Sequence, residues 1–304
     1  MKSYNKVIKI KFISNLKKVG CKMKFITYKY NDKESVGLLT IQGIIPLPKF
    51  NSMFELIENF DMETVNEAPA DYIPLKEVKL LAPIPHPRRN ILCLGKNYED
   101  HAKELGATKI SDKFVPEDPI YFTKSADAVI AHGDDIKFYS EVTKQVDYEV
   151  ELAIVIGKEG INIKPEEAED YIFGYTIIND VSARDLQVRH KQWFKAKSLD
   201  TFCPMGPCLV HKSHLPLPVR LDIKSFVNGE LRQNSNTNKL IFDIPYIISD
   251  LSQGFTLKPG DVIATGTPSG VGFGFNPPKL LSDGDVIECY IEKIGSLVNK
   301  VKSI

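Results

Sequence analysis

One twelve-residue run, VDYEVELAIVIG at 146–157, constrains the fold more than any other stretch. Side chains alternate across a strand, so Val146, Tyr148, Val150, Leu152, Ile154 and Ile156 line one unbroken apolar face. The opposite face reads Asp147, Glu149, Glu151, then Ala153 and Val155. Neighbours on that face stand roughly 6.6 Å apart, twice the rise per residue. The strand therefore passes from a three-carboxylate stretch into a region buried on both sides. Like charges at the lip of a dry region are costly unless water or a cation compensates them. A hard divalent cation does so well, because magnesium, manganese and calcium prefer oxygen ligands. A half-exposed edge strand with a solvated acidic face is the alternative, and this strand alone leaves both open. Downstream, the apolar run Phe173–Asn179 ends in Asp180, placed either to supply a third ligand or to cap a following helix.

The rest of the chain reads as mainly β with short helices, an α+β pattern. Strands are expected at Lys24–Tyr30, Val36–Ile41 and Ile44–Leu47, then at Asn90–Leu94, Ile120–Thr123, Val146–Ile156 and Phe173–Asn179. Four more follow at Leu221–Val227, Asp261–Thr265, Asp285–Ile291 and Leu297–Val301. Ser52-Met53-Phe54-Glu55 is a capping-box sequence opening a short helix to about Phe60. Further helices fit Tyr98–Leu105, Pro165–Tyr171, Ser182–Lys191 and Ile244–Ser252, with Gly254 as the last one's C-cap. Asn228-Gly229 is a strong hairpin turn. Helices do not alternate regularly with strands, which disfavours a Rossmann-type sheet. Five prolines between 66 and 87 read as an extended linker. The expected organisation is a basic extension over 1–22, a small β-rich module over 23–80 and a main domain over 81–304.

Lysine plus arginine and aspartate plus glutamate each number 39 among 304 residues, so nothing global points to nucleic acid or an anionic membrane. The balance hides an asymmetry. Residues 1–22 hold seven lysines and no acid, so the remainder carries a compensating −7. Lacking a compact apolar stretch, this segment fails as a secretory signal, and it reads as a mistaken start or a solvated tail ahead of Met23, with a functional basic arm as the alternative. No apolar run approaches the ~18–20 residues of a membrane span. Five scattered cysteines without a C-x-x-C argue against a disulfide scaffold or zinc ribbon, and a cytoplasmic setting is expected.

Seven stretches, in one order, carry a specific likeness: LGKNYEDHAKELG (94–106), PIYFTKSADAVIAHGD (119–134), VDYEVELAIVIG (146–157), GYTIINDVSARDLQ (174–187), AKSLDTFCPMGP (196–207), VNGELRQ (227–233) and GDVIATGTPSGVG (260–272). On these the chain resembles the fumarylacetoacetate hydrolase superfamily over about 90–302. The short N-terminal module is most similar to that of bacterial oxaloacetate decarboxylase and acylpyruvate hydrolase members. The resemblance implies a mixed β-sandwich roll of the family's C-terminal type, usually a homodimer, holding one magnesium or manganese ion. By motif position the metal ligands are Glu149, Glu151 and Asp180, and the catalytic pair is His101 and Glu104. Tyr98–Leu105 reads as helical, and residues at i, i+3 share a helix face, so the glutamate can orient the imidazole. Lys197 matches the family's active-site lysine, which would neutralise charge on a substrate oxygen as an enolate develops.

Arg184 and Gln187, again at i, i+3, are expected to hold a substrate carboxylate, which arginine does bidentately. Thr267 falls in the matching active-site loop, with a backbone or hydroxyl contact to that carboxylate. The loop lacks G-x-x-x-x-G-K-[ST], so it is no phosphate-binding P-loop, and Gly272-Phe273-Gly274 reads as turn geometry. The expected reaction is metal-dependent cleavage beside a 2-oxo carboxylate. Oxaloacetate decarboxylation to pyruvate comes first, with acylpyruvate hydrolysis through the same enolate. Alternatives are a 2-hydroxyhepta-2,4-diene-1,7-dioate-type isomerase and a non-catalytic metabolite-binding scaffold.

Overall fold

Alternation of apolar side chains recurs along most strands, and the computed structural model sorts them into sheets with two buried layers. It describes residues 23–63, 68, 71–106 and 115–304; the basic extension over 1–22 lies outside them. The chain opens with strands β1 (Lys24–Tyr30), β2 (Lys33–Leu39) and β3 (Ile44–Pro46), then helix α1 (Met53–Glu58) and β4 (Lys79–Leu80). Strand β5 (Ile91–Gly95) leads into helix α2 (Glu99–Gly106), followed by β6 (Ile120–Lys124), β7 (Val129–Ile130) and β8 (Asp135–Phe138). Next come β9 (Val146–Asp147), β10 (Val150–Ile156), α3 (Ala168–Tyr171), β11 (Ile172–Asn179) and β12 (Ser182–Ala183). Helices α4 (Arg184–His190) and α5 (Phe194–Lys197) precede β13 (Cys203–His211), β14 (Asp222–Val227) and β15 (Glu230–Asn236). Helix α6 (Ile244–Leu251) and strands β16 (Val262–Ala264), β17 (Val286–Ile291) and β18 (Gly295–Ser303) complete the chain.

The large sheet runs β3-β2-β1-β13-β11-β10-β16-β5-β6, with β4 on β1 and β7 on β13. A second sheet runs β15-β14-β17-β18-β8. Most pairs are antiparallel, but β5 on β16, β7 on β13 and β8 on β18 are parallel, so both sheets are mixed. One core lies between the sheets. Tyr148, Val150, Leu152 and Ile154 meet Tyr175 and Ile177 there, with Ile223, Ile287, Ile291 and Leu297 from the second sheet. The other core lies on the far side of the large sheet, where α1 covers Ala153, Val155, Ile178 and Leu209 with Met53, Leu56 and Ile57. The first three strands join the large sheet directly through β1 against β13. Lys24 reaches across to the second sheet, donating to the Ile294 carbonyl at 2.9 Å.

Local chemistry explains most boundaries. Ser52 Oγ accepts from the Glu55 amide, while the Glu55 carboxylate takes the Asn51 amide and not that of Ser52, a shifted capping box. Asn228 and Gly229 both have positive φ, and Val227 faces Glu230 across the two-residue turn. The proline-rich linker is partly regular: Ile73 bridges Ile44, and β4 pairs with β1. Strand β13, absent from the sequence expectation, is hidden by Pro204 and Pro207, which cannot donate to a ladder. Its pairing with β11 shifts register between Tyr175 and Ile177, where Gly206-Pro207 is accommodated.

Candidate active site

Strand β10 lies between β11 and β16, and every one of its residues is buried. The solvated edge-strand alternative is therefore excluded. The expected single strand is broken, however. Strand β9 leaves to pair with β12 through Asp147↔Ser182, and the ladder resumes at Val150. Across the gap, side chains replace backbone partners: the Glu149 amide donates to Asn179 Oδ1 at 3.0 Å and the Val150 amide to Gln233 Oε1 at 3.1 Å. Buried amides need such acceptors. Glu149, Glu151 and Asp180 come together, each offering one carboxylate oxygen within 4.8 Å of those of the other two. Asp180 follows β11 directly, and its amide donates to the Glu149 carbonyl at 2.8 Å.

Asp147, the third acid of the run, goes elsewhere. Its carboxylate accepts from the Gly272 amide at 2.7 Å, the Phe273 amide at 3.0 Å and Arg184 Nε at 2.9 Å. It clamps the Gly272-Phe273-Gly274 turn to the strand.

Three buried cations face these acids. Lys197, on the last turn of α5, donates to Glu149 Oε2 at 2.7 Å and Asp180 Oδ2 at 2.6 Å. Lys124, at the end of β6, donates to Asp180 Oδ1 at 2.5 Å. Arg184 Nη2 lies 2.6 Å from Glu149 Oε1. Burial works against the Glu149 charge, but Lys197, Arg184 and His101 together hold its carboxyl well below the usual range. Glu151 behaves oppositely: burial and the charges of Asp180 and Glu149 push it well above, although the Gly266 amide donates to its Oε2 at 2.9 Å. Burial also opposes the Lys197 charge, yet Asp180 and Glu149 keep its pKa above the ordinary lysine value. An oxygen-only donor set in which carboxylates repel one another fits a magnesium- or manganese-sized cation.

The expected catalytic pair is also assembled. His101 is buried, and its Nδ1 lies 3.1 Å from Glu104 Oε2 on the same face of α2. Glu104 Oε1 accepts from the Gly270 amide at 3.0 Å, tying the helix to the loop after β16. Asn97 anchors the start of the helix: its side-chain amide donates to the Phe242 and Thr265 carbonyls, and its Oδ1 accepts from the Phe242 amide. Gly274 allows a close approach, since a Cβ there would lie 2.2 Å from Glu104 Oε1. That turn is thus shaped by packing against the pair.

The expected carboxylate-binding group lies in a different setting. Arg184 is fully buried, with Nε on Asp147, Nη1 on Gln187 Oε1 at 3.0 Å and Nη2 beside Glu149. Its fork is turned toward protein acids, and Gln187 supports it. The Thr267 hydroxyl donates to the Val150 carbonyl at 2.9 Å and accepts from Gln233 Nε2 at 2.7 Å.

With this geometry in view, comparison with known proteins is decisive. The profile of the fumarylacetoacetate (FAA) hydrolase C-terminal family matches residues 90–302. The chain belongs to the fumarylacetoacetate hydrolase family. It is 58% identical over 227 residues to the oxaloacetate tautomerase YisK of Bacillus subtilis, covering 75% of this chain and 74% of that one. Among solved structures, it is similar to a fumarylacetoacetate hydrolase from psychrophilic Exiguobacterium antarcticum. The TM-score is 0.80 at 40% identity, over 93% of this chain and 100% of that one. A maleylpyruvate hydrolase from Sphingobium sp. SYK-6, solved with manganese(II) and pyruvate, superposes with a TM-score of 0.75 at 30% identity. That match covers 92% of this chain and 99% of the other.

Within the family's fold, the sequence reading missed four residues that build the site. Lys124, Asn97 and Gln233 sit inside the matched stretches 119–134, 94–106 and 227–233 but were given no role there. Asn179 lies one residue before a named ligand. A lysine, asparagine or glutamine shows its partners only once the chain has folded, because those partners are 30 to 168 residues away.

Proposed function

We propose that this protein is a divalent-metal-dependent enzyme acting on 2-oxo carboxylates, and that its reaction is the keto–enol interconversion of oxaloacetate. The observation that carries this reading is the triad of Glu149, Glu151 and Asp180 with Lys197 on two of its members and the His101–Glu104 pair close by. A magnesium or manganese ion held by the three carboxylates would supply a cationic anchor for the 1-carboxylate and 2-oxo group. The chain's own residues do the rest. Glu104 accepts from Nδ1–H of His101, leaving the other ring nitrogen with a free lone pair that can take a proton. His101 takes a proton from C3 of the keto form, and the electron pair moves onto the 2-oxo oxygen. The Lys197 ammonium balances the charge growing there. Return of that proton from His101 to the oxygen completes the enol and regenerates the neutral imidazole, and the reverse sequence restores the ketone. Arg184 and Gln187 hold Glu149 and Asp147 in place, with the 1-carboxylate left to the metal and the Thr267 loop. The name borne by the Bacillus subtilis relative supports tautomerisation.

Carbon–carbon cleavage to pyruvate, in which the C3–C4 bond breaks and its electron pair leaves the enolate of pyruvate instead, is the second reading, favoured by the structural neighbour solved with manganese and pyruvate. One experiment separates them. Enol-oxaloacetate is mixed with the protein and manganese, or with protein after chelation, and enol absorbance and pyruvate are followed together against metal-only controls. Metal-dependent loss of enol without pyruvate is expected. Pyruvate release at the same rate would make the protein a decarboxylase, and no effect on either would sink both readings.

A further inference from the structure

Lys124 ends an edge strand, yet its side chain turns inward. The other residues of β6 are half-buried, while Lys124 is fully buried. A lysine on a sheet edge has a stem long enough to reach water, so the strand does not force this burial. An ammonium has three donors, and here all three are engaged. They go to Asp180 Oδ1, to the Val181 carbonyl at 3.1 Å and to the Lys197 carbonyl. Each acceptor belongs to a residue of the site or to its immediate neighbour.

Two consequences follow. Asp180 has Oδ1 held on one side by Lys124, which leaves Oδ2 to Lys197. Helix α5 spans only Phe194–Lys197, far too short to be stable alone. A second lysine therefore fixes the carbonyl of the residue whose ammonium reaches between Glu149 and Asp180. A purely stabilising role fits poorly, since a buried ion pair is often no better for folding than well-packed apolar side chains of similar volume.

We propose that Lys124 is a positioning residue, which sets both the presentation of Asp180 to the metal and the reach of Lys197. The proposal rests on the metal-site reading above, but its test does not require oxaloacetate turnover. Lys124→Met keeps a long unbranched stem and removes the donors. Three quantities are compared with wild type: the electron paramagnetic resonance spectrum and affinity of bound manganese, kcat against KM for oxaloacetate, and the melting temperature of the metal-free protein.

The expected result is an altered manganese spectrum, affinity weaker by about tenfold, and kcat lower by at least about tenfold with KM within about threefold, together with a lowered melting temperature, because the buried Asp180 charge loses one of its two cations. Lys124→Arg is expected not to restore these, because a planar fork cannot meet three converging acceptors as an ammonium does. A wild-type spectrum, affinity and kcat in Lys124→Met would overturn the proposal, as would full rescue by arginine, which would leave charge alone as the cause. If the methionine variant does not fold, Lys124→Gln takes its place with the same readouts. Failure of both to fold assigns Lys124 to the scaffold and rejects a positioning role. A wild type without oxaloacetate turnover would reject the proposed function and leave the manganese comparison standing.

Discussion

The acidic triad and the His101–Glu104 pair of the candidate site are held in opposite ways. Glu149, Glu151 and Asp180 repel one another; Glu151 stands on β10, Glu149 just before it and Asp180 just after β11, all buried at the ends of two paired strands of the large sheet. Buried cations stand among them. His101 and Glu104 attract one another, and a single eight-residue helix suffices to carry them, fixed by Asn97 at its start and by Gly270 at Glu104. Groups that repel need a rigid frame and compensating charge. A mutually attracting pair needs mainly a shared face. The two halves should therefore fail differently when disturbed.

The largest effect is expected at the triad. Glu149→Gln or Glu151→Gln should abolish measurable manganese binding, with activity falling further than the ~10–100-fold lost with an outer-shell partner. Manganese titration with parallel kinetics checks this, and a variant that binds metal normally would break the comparison. Next comes the pair. Glu104→Ala should lower kcat by roughly 10²–10⁴-fold, the usual share of general acid–base catalysis, while manganese affinity stays within about threefold. Loss of metal binding in that variant would mean the halves are not separable.

Gly274→Ala should have a smaller effect of the same kind. Its Cβ would lie 2.2 Å from Glu104 Oε1, so the carboxylate must move, and kcat should fall about tenfold with metal affinity retained. Activity close to wild type would show that the pair tolerates displacement.

The smallest effect on the reaction itself concerns the scaffold, where stability and not turnover is read. Burial pushes His132 and His211 down to about 4, in the latter with help from Lys212 and His214. Below pH 6.5 the unfolded chain takes up protons that these folded imidazoles refuse, so stability falls with pH from 6.5 toward about 4 and levels below that. Each pKa unit is about 1.4 kcal/mol, so thermal melts between pH 7 and 5 should show a progressive loss, reduced in His211→Phe. A flat profile would contradict the assignment.

How much of this was legible in the sequence follows the range of the interactions involved. The alternation in 146–157 correctly places Glu149 and Glu151 on one face, because it depends on neighbours two residues apart. The Asn228-Gly229 turn was legible for the same reason. The break at Tyr148-Glu149 was not, since the side chains that cap its amides come from Asn179 and Gln233. The spacing of Arg184 and Gln187 describes a shared helix face, and the two do meet; the acids that Arg184 also reaches, Asp147 and Glu149, are 37 and 35 residues earlier and show only in the fold. Lys124 lay inside a matched stretch, but nothing local distinguishes a lysine that turns inward from one that reaches solvent.

Hydrogen exchange at C3 of oxaloacetate in heavy water, followed by proton NMR, tests the central claim most directly. Wild type with manganese should exchange C3 protons faster than the metal-only control, chelation should remove the difference, and His101→Asn should lack it while still binding manganese. Pyruvate formation without exchange at C3, or exchange untouched by chelation, would contradict a metal-dependent proton transfer at this site.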